Sequence, residues 1–525
     1  MTRLAGLDAD TLWSAVLAAA AGSRAGAARV VAERCTAAGS VRLGWAEPPP
    51  WADVRRSVAA VRAALGLPAR AALGQPAGTE VGEPAATEVV LLGTGGWSFA
   101  ARALVETTCP GAGLAPLDSL DRAAIERVLA ADAGAPRAVL AVSGSGATME
   151  TRCLVDAVPP RGGGRLVWLR DEGAPPDAFP LSPRGRSDQV AMLGAPLSTA
   201  FLAAAAIVDD AALADAYPRF LDRYRQIGAA AARRATAVSL AGAGRIRFVV
   251  PHWAGPGLRR WLLQLGRQVL GGKSGASGRF RPMVEVVPAG ATVDGGAVFD
   301  LGRVRRDLPA LLDGLYAAGV FVACVGLRAG LDVADHANVR AYKEHLAHAD
   351  PDDPLGPPVA ATDLPGAAAT WLARRPELAR LHVVGYWSGA EEGLPPAARF
   401  AAATGRPCEV HEGSAWNHHS FQAVYPDPAV AVLIVTRGAD TDAGAAPPVR
   451  AAAWTLRQIA AATQRSLPDR SVLIAIKDPP ADQGLRHPKR RSNRVPEPLI
   501  GGEGGAAGRG GVRTGRYGDE GRTDD

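Results

Sequence analysis

The sequence predicts an α/β protein built on parallel sheets, preceded by a helical N-terminal segment. Two successive stretches, Glu88 to Glu106 and Ala138 to Val158, each have the order strand, Gly/Ser-rich loop, helix. Further apolar runs, Arg245 to Val250, Val430 to Thr436 and Val472 to Ile476, predict later strands, with a helix between the last two. Strands that alternate with helices are typical of parallel sheets covered by helices.

The composition is that of a globular protein. At 525 residues, 48% hydrophobic and 21% charged, the chain can bury two or three domain-sized cores. Its 5 cysteines lack metal-type spacing, which indicates free thiols in a reducing compartment. We find no signal peptide and no apolar run of membrane-spanning length, so we expect a cytoplasmic protein. The net charge of +6 includes many scattered arginines, so neither nucleic acid nor a membrane is expected as a partner.

Residues 1–84 are expected to form helices and a linker. Asp8 to Ala38 and Trp51 to Leu65 are rich in Ala and Leu or Val at helical spacing, and three prolines from Pro48 separate them. Residues 68–84 are rich in Gly and Pro and are typical of a linker. This segment carries no motif that indicates chemistry, so we expect it to pack against the sheets that follow.

The two Gly/Ser loops are the candidate ligand site. The first is Gly93-Thr94-Gly95-Gly96-Trp97-Ser98, and the second is Ser143-Gly144-Ser145-Gly146-Ala147-Thr148. Backbone N–H groups and hydroxyls of such loops converge on a phosphoryl group, and the positive end of the next helix favours an anion. The alternative is an ordinary turn, in which Gly supplies unusual dihedrals and Ser or Thr caps the helix. A pair of such loops at the carboxyl ends of two strands favours the anion site.

The order and spacing of these loops resemble the sugar isomerase (SIS) half of phosphoglucose isomerases. Their loops read roughly GIGGSxLG and SKSGTTxET, against GTGGWSFA and SGSGATMET in this chain. The resemblance implies two SIS-type doubly wound parallel-sheet domains, at 85–240 and 241–480. Residues 481–525 are rich in Pro, Gly, Arg and acids, a composition that predicts a disordered tail. It implies phosphate binding by the following residues of the two loops: Gly95, Gly96, Ser98, Ser143, Ser145 and Thr148. Gly144 stands where the family has a lysine, Ala147 where it has a threonine, and Trp97 where it has a serine.

A third motif places an arginine near the substrate. Arg186 to Gly194 fits the spacing of the family pattern GGRxSxxSxxGL, without its two serines, and leads into an expected helix from Val190 to Val208. The resemblance implies that Arg186 stabilises the negative charge that develops on the sugar, a role suited to a planar guanidinium. Without the resemblance, a solvated arginine before a helix is the simpler interpretation.

The central departure from the family is at Gln268. The segment from Trp261 to Lys273 resembles WxxQLxxESxGK, whose glutamate takes the proton from carbon 2 of the sugar, but this chain has Gln268 there. A carboxamide cannot accept that proton. If the position is the only defect, Gln268→Glu should raise isomerase activity. Glu285 and Glu412 are candidates for a substitute base by sequence position alone.

Two further residues are implied to assist ring opening. Lys343 holds its place in a segment that resembles NPFDQPxVExxK, although by itself it would be a solvated helix residue. His419-Ser420 fits the His-Ser of the Leu-His-Ser-Thr-Gly-Gln motif in isomerases fused to transaldolase, and an imidazole suits proton transfer near neutral pH. His418 competes for that role. A metal site at His411, Glu412, His418 and His419 is the other possibility, but their spacing follows no familiar ligand pattern.

The function implied is an aldose–ketose isomerase acting on a phosphorylated sugar, with glucose 6-phosphate and fructose 6-phosphate as the expected pair. The resemblance is strongest to the isomerase part of bifunctional transaldolase/phosphoglucose isomerases. It implies a small-molecule substrate, no metal or other cofactor, and a homodimer. The alternatives are a catalytically impaired sugar-phosphate-binding protein and a diverged enzyme for another phosphorylated sugar.

Overall fold

The N-terminal segment is helical, as predicted. The computed structural model describes residues 4–37, 39–68, 88–108, 113–131, 135–146, 148–171, 178–185, 188–240, 244–271, 282–291, 295–334, 337–351, 358–438, 442 and 444–477, all within the unit Met1–Asp478. Its first elements are α1 (Ala9–Ala20), α2 (Gly26–Arg34), the short antiparallel pair β1 (Thr36–Ala37) and β2 (Ser40–Val41), and α3 (Trp51–Ala64). Helices α1 and α3 pack against a long helix described below.

A five-stranded parallel sheet carries both loops. Its strands are β3 (Glu88–Leu92), β4 (Leu114–Leu117), β5 (Arg137–Val142), β6 (Leu166–Leu169) and β7 (Ala178–Phe179), in the order β4-β3-β5-β6-β7. Helices α4 (Gly96–Thr108), α5 (Arg122–Ala130) and α6 (Met149–Ala157) follow β3, β4 and β5. Because β3 and β5 are parallel neighbours, both loops leave the same edge of the sheet.

Two long helices form the centre of the largest apolar core. The expected single helix after Val190 is instead the short α7 (Ala191–Gly194), a 3-10 turn and α8 (Thr199–Thr236), which is kinked at Asp209. Helix α8 packs against α10 (Leu308–Arg328). The stretches Ala191–Thr236 and Leu308–Arg328 are long and apolar enough to cross a membrane, which the sequence alone did not suggest, but 83% and 78% of their most apolar windows are buried inside the protein.

The second half contains two parallel sheets where one was expected. The first has the strands β8 (Arg245–Val250), β9 (Met283–Pro288) and β10 (Ala297–Asp300), in the order β10-β8-β9, with α9 (Pro256–Leu270) after β8. The second has β11 (Arg380–Gly385), β12 (Cys408–Glu412), β13 (Val430–Arg437) and β14 (Ser471–Ile476), in the order β12-β11-β13-β14. Its helices are α11 (Ala341–Glu344), α12 (Leu364–Leu372), α13 (Ala390–Gly393), α14 (Ala397–Thr404), α15 (Gly413–His419), α16 (Phe421–Val424) and α17 (Pro447–Ser466). The predicted α/β class with parallel sheets is confirmed.

An arginine bridges the edge strands of these two sheets. Arg267 donates one hydrogen bond to the backbone oxygen of Val284 on β9, at 2.9 Å, and another to the carboxylate of Glu409 on β12. Its guanidinium is nearly buried, so the ion pair with Glu409 compensates the cost of removing the charge from water. The Arg267 side chain thus links β9 of one sheet to β12 of the other.

Helix α9 lies unusually close to α4. A Cβ built on Gly257 would be 2.6 Å from the backbone N of Ala103, so a larger residue at this position would push the helices apart. Because α4 begins at the first Gly/Ser loop, this close approach brings the buried face of α9 toward that loop.

Candidate functional site

Two buried hydroxyls of the first loop lack hydrogen-bond partners among the described residues. Ser98, in the first turn of α4, is 3% exposed, and its Oγ lies close to Gly93 and Val142 at the ends of β3 and β5. Neither this Oγ nor Oγ1 of Thr94 has a hydrogen-bond partner among the described residues, although both atoms are buried. Buried polar groups normally have partners, so these two hydroxyls indicate a place for water or a polar ligand.

The two glycines of the first loop have different surroundings. Gly95 has a φ of +95°, a left-handed conformation that favours glycine. Gly96 begins α4 and lies against the backbone of Ala191, 3.0 Å from a built Cβ. A Cβ built on Gly95 would contact Nδ1 of His418 at 3.4 Å and Nε2 of Gln264 at 3.7 Å, whereas Gly96 is a packing contact with α7.

A hydrogen bond between two of its own side chains closes the second loop. The hydroxyl of Ser143 donates to Oγ1 of Thr148 at 2.8 Å across the loop. Ser143 is buried at 4% exposure, whereas Ser145 is exposed at the tip. The hydroxyls of Ser143 and Thr148 would have to exchange this mutual hydrogen bond for bonds to a phosphate.

A histidine–glutamate pair lies beside the loops. Nε2 of His418, on α15, is 3.3 Å from Oε1 of Glu150 on α6, and both residues are buried. Burial alone would raise the pKa of Glu150, but the hydrogen bond and charge of His418 and the charge of Lys343 together lower it. Since Glu150 is a carboxylate, Nε2 of His418 donates to it, and Nδ1 is the nitrogen that has a free lone pair whenever the ring is neutral. A Cβ built on Gly95 would lie 3.4 Å from that Nδ1, so this nitrogen lies beside the first loop.

The side chain of Gln268 contacts the main chain of His418. Nε2 of Gln268 donates to the backbone oxygen of His418, and Oε1 of Gln268 accepts from Nε2 of Gln264 at 3.1 Å. Gln268 is 4% exposed and Gln264 is 3% exposed. Gln268 therefore lies against the backbone of His418, with both ends of its amide engaged.

The residues predicted to take part in catalysis do not all lie beside the two Gly/Ser loops in the structure. Lys343 is exposed on α11, and its charge acts on Glu150. His419 has different neighbours from His418: its Nδ1 is 2.6 Å from Oγ of Ser420, and its ring packs against that of His411. Of the two adjacent histidines, it is His418 that faces the loops. Arg186 lies outside the described residues.

The proposed substitute bases are engaged elsewhere. The carboxylate of Glu412 is 2.9 Å from Arg260 and accepts the backbone N–H of Gly389 at 3.1 Å. Glu285 accepts from Arg247 at 2.6 Å. Both carboxylates thus belong to ion pairs away from the His418–Glu150 pair, and Glu150 is the carboxylate that contacts His418.

The sequence reasoning missed Glu150 and Gln264 as site residues. A signal existed for each, because Glu150 follows the second loop directly in a segment predicted to be helical, and Gln264 precedes Gln268 by four residues. Residues four apart lie on the same face of a helix.

A second cluster of titratable groups lies on β11 and β12. Donor atoms of His382, Glu409 and His411 all lie within 4.8 Å of one another, beside a cavity of about 720 Å³ between β9 and β12. These are metal-ligand residue types on rigid strands. His411 is 2.9 Å from Glu409, which also binds Arg267.

The hydrogen bonds of this second cluster oppose a metal. Nε1 of Trp416 donates to Nδ1 of His382 at 3.1 Å, so neutral His382 carries its proton on Nε2, the atom that faces Glu409. Burial lowers the pKa of His382 to about 3, which keeps it neutral. A protonated Nε2 cannot ligate a cation. The other predicted set, His411, Glu412, His418 and His419, is divided among separate partners.

No protein-family model and no curated protein matches this chain. Similar solved structures include a hypothetical protein from Thermus thermophilus, at 16% identity and a TM-score of 0.45, covering 65% of this chain and 94% of that one. A glucose-6-phosphate isomerase from Chlamydia trachomatis has 12% identity and a TM-score of 0.44, covering 66% and 84%. Tagatose-6-phosphate ketose/aldose isomerase from Escherichia coli has 12% identity and a TM-score of 0.30, covering 55% and 97%. These scores carry no assignment by themselves, so the α/β class rests on the strand pairing and the chemistry on the site.

Proposed function

We propose that the chain binds a phosphorylated sugar at the two Gly/Ser loops and moves a proton between carbon 2 and carbon 1 of that sugar, as aldose–ketose isomerases do. Glucose 6-phosphate and fructose 6-phosphate are the first substrates to test. The observation that carries the proposal is the His418–Glu150 pair beside the first loop, where Nδ1 of His418 faces Gly95. The finer likeness to isomerases fused to transaldolase rests only on the His-Ser motif at His419.

Binding of the phosphate is supported by the edge of the first sheet. The loops after β3 and β5 leave neighbouring strands, and each leads into a helix whose N-terminal N–H groups favour an anion. The buried hydroxyls of Thr94 and Ser98 lack partners among the described residues and are available to the same ligand. No metal is required for this mode of binding.

The proton step falls to His418. Isomerisation moves the proton of carbon 2 to carbon 1 and the hydroxyl proton of oxygen 2 to oxygen 1, and a single imidazole can carry the carbon-bound proton between the two carbons. Gln268 cannot accept it, and Glu285 and Glu412 are in ion pairs. The carboxylate of Glu150 would stabilise the imidazolium that forms, in the way an acidic partner supports a catalytic histidine.

A non-catalytic sugar-phosphate-binding protein is the second candidate, and Gln268 favours it. Loss of a general base commonly costs about 10²-fold to 10⁴-fold in rate, so a chain without that base could retain binding alone. Such a protein would still bind the phosphate through the two loops but would not catalyse isomerisation.

The test combines exchange with binding. Loss of deuterium from carbon 2 of labelled glucose 6-phosphate would be followed by NMR, and affinity for the same compound would be measured by calorimetry, with unphosphorylated glucose as the control ligand. Exchange together with phosphate-dependent binding is expected for the isomerase. Binding without exchange would favour the non-catalytic binding protein. If neither glucose 6-phosphate nor fructose 6-phosphate bound, both candidate functions would be refuted.

A further inference from the structure

We propose that Gln268 is a positioning residue that holds His418 through its main-chain carbonyl, so that this site requires an amide where related isomerases have a carboxylate. The inference rests on the proposed function, because His418 is the group that carries the proton there. It reverses the expectation from sequence that Gln268→Glu should raise activity.

The orientation of the Gln268 amide is fixed at both ends. Its Oε1 accepts from Nε2 of Gln264 at 3.1 Å, and its Nε2 donates to the backbone oxygen of His418. Rotating the amide by half a turn would set two donors against each other at Gln264 and two acceptors at His418. Since Gln268 is 4% exposed, water does not replace either bond. Only a group that is an acceptor at one end and a donor at the other satisfies both neighbours.

This bond fixes where the imidazole of His418 lies. The backbone of His418 is held by Gln268, and Nε2 of its ring is held by Glu150 at 3.3 Å. With two anchors on one residue, the remaining ring nitrogen, Nδ1, is kept beside Gly95 of the first loop. A catalytic ring kept in place by surrounding hydrogen bonds loses little freedom when the substrate binds.

A carboxylate at position 268 would conflict with this arrangement. One of its oxygens could accept from Gln264, but the other would face the backbone oxygen of His418, which is also an acceptor. A protonated carboxyl group removes the conflict, because its O–H donates as the amide does. Burial and the facing carbonyl both favour the neutral form, so the pKa of the introduced Glu should lie above its usual value.

Several charged groups surround this position and act on such a carboxyl group. On α15 these groups are His418, which bonds to Gln268, and the adjacent His419; Glu150 on α6 contacts the ring of His418, and the charge of Lys343 on α11 acts on Glu150. Other elements packed on α9 carry Arg102 and Glu106 on α4, Cys324 and Arg328 on α10 and Glu285 on β9, and α9 itself carries Arg267. Since the wild type shares all of these groups, the ratio of variant to wild type at each pH isolates the new carboxyl group.

The experiment compares Gln268→Glu with wild type from pH 5.5 to pH 8, with affinity for glucose 6-phosphate and proton exchange at carbon 2 as readouts. We expect the variant to approach wild type at low pH, where the carboxyl is protonated, and to fall about tenfold or more below it at high pH. Equal behaviour at every pH, or a gain that grows as pH rises, would overturn the inference. A gain would mean that the carboxylate acts as the base.

A matched control comes from α17. Gln458 also donates from Nε2 to a backbone oxygen, that of Leu346 at 2.9 Å, and it is half-buried away from the site. Gln458→Glu makes the same chemical change, so we expect a ratio to wild type that does not vary with pH. If Gln458→Glu reproduced the pH dependence of Gln268→Glu, the effect would be general destabilisation and the inference would fail.

A second readout separates this inference from the proposed function. The imidazole signals of His418 can be assigned in histidine-labelled protein by comparison with His418→Gln. We expect them to shift in Gln268→Glu at pH 8 and to return toward wild type at pH 5.5. Unchanged signals would refute the positioning role even if no sugar phosphate bound. Failure of wild type to bind glucose 6-phosphate would refute only the proposed function.

Discussion

Replacing Glu150 by Gln tests whether the buried pair serves proton transfer. The change keeps the size of the side chain and an oxygen able to accept from Nε2 of His418, so it removes mainly the negative charge. In the native protein Oε1 of Glu150 lies 3.3 Å from Nε2 of His418, and Glu150 is 2% exposed. The variant therefore isolates the effect of a carboxylate on the adjacent imidazolium.

The size of the effect follows from the separation of the charges. Two unit charges about 4 Å apart interact by about 4 kcal/mol at an effective dielectric constant near 20. If about half of the imidazolium charge has formed in the transition state, roughly 2 kcal/mol of stabilisation is lost. At about 1.4 kcal/mol per factor of ten, exchange at carbon 2 should slow by about 30-fold, and by up to about 10³-fold if the charge is fully formed.

The assay is deuterium loss from carbon 2 of labelled glucose 6-phosphate, with affinity measured by calorimetry. We expect affinity for the phosphate to stay within about threefold, because the carboxylate of Glu150 bonds to His418 and its removal takes away a negative charge near the anion. Glu33→Gln, in an exposed pair with Arg29 on α2, is the control and should leave both readouts unchanged. A loss of less than threefold in exchange would refute the role given to Glu150.

The same variant has a defined dependence of stability on pH. The folded-state pKa of Glu150 is lowered from 4.5, so the carboxylate stabilises the fold above that pH and the contribution is lost as pH falls through the folded pKa. The difference in melting temperature between wild type and Glu150→Gln should therefore be largest near neutral pH and shrink on acidification. A difference that grows below pH 4.5 would contradict the assigned pairing.

Substitutions at His418, Arg260 and Gly95 test the assigned base, a buried ion pair and the edge of the candidate site. His418→Asn should reduce exchange by about 10²-fold to 10⁴-fold, while His419→Asn should retain most of it, and the reverse order would contradict the assignment. Arg260→Met removes the cation that the buried carboxylates of Asp118 and Glu412 share. The free energy of unfolding measured in urea should fall by about 3–5 kcal/mol. An unchanged free energy would mean that Arg260 does not compensate these two carboxylates. Gly95→Ala and Gly22→Ala share a left-handed backbone, at φ +95° and +98°, and should both lower stability by about 1–2 kcal/mol. Only the methyl group added at Gly95 would lie beside His418, 3.4 Å from its Nδ1, and take up space next to the first loop, so it alone should weaken binding in calorimetry. Equal binding in the two variants would argue that Gly95 does not border the ligand.

The α/β class and the two βα units could be predicted because their signals are local. The strand predicted at Glu88 to Leu92 has the same bounds in the structure, and the strand predicted after Ala138 begins one residue earlier, at Arg137. Short apolar runs followed by Gly/Ser loops depend on neighbours within a few residues, so no tertiary information is needed. Strands β4, β9 and β10 lacked such a signal and were missed.

The division of the second half into two sheets depended on a long-range contact. Arg267 on α9 joins Val284 on β9 to Glu409 on β12, residues that are far apart in sequence. Nothing in the local pattern of either strand predicts that its outer edge meets a guanidinium instead of another strand. Which edges pair in a sheet is settled by packing, because open edges have the same hydrogen-bonding groups everywhere.

By itself the sequence determined the chemical inventory of the site: two Gly/Ser loops, an amide in place of a carboxylate at Gln268, and two adjacent histidines. The tertiary structure decided which histidine faces the loops, because consecutive residues on a helix point about 100° apart and only the docking of α15 selects one of them. It also decided that Glu150 is the partner of His418 and that Gln268 holds its backbone. These contacts join α6, α9 and α15 across the fold, so they exist only once the helices have packed.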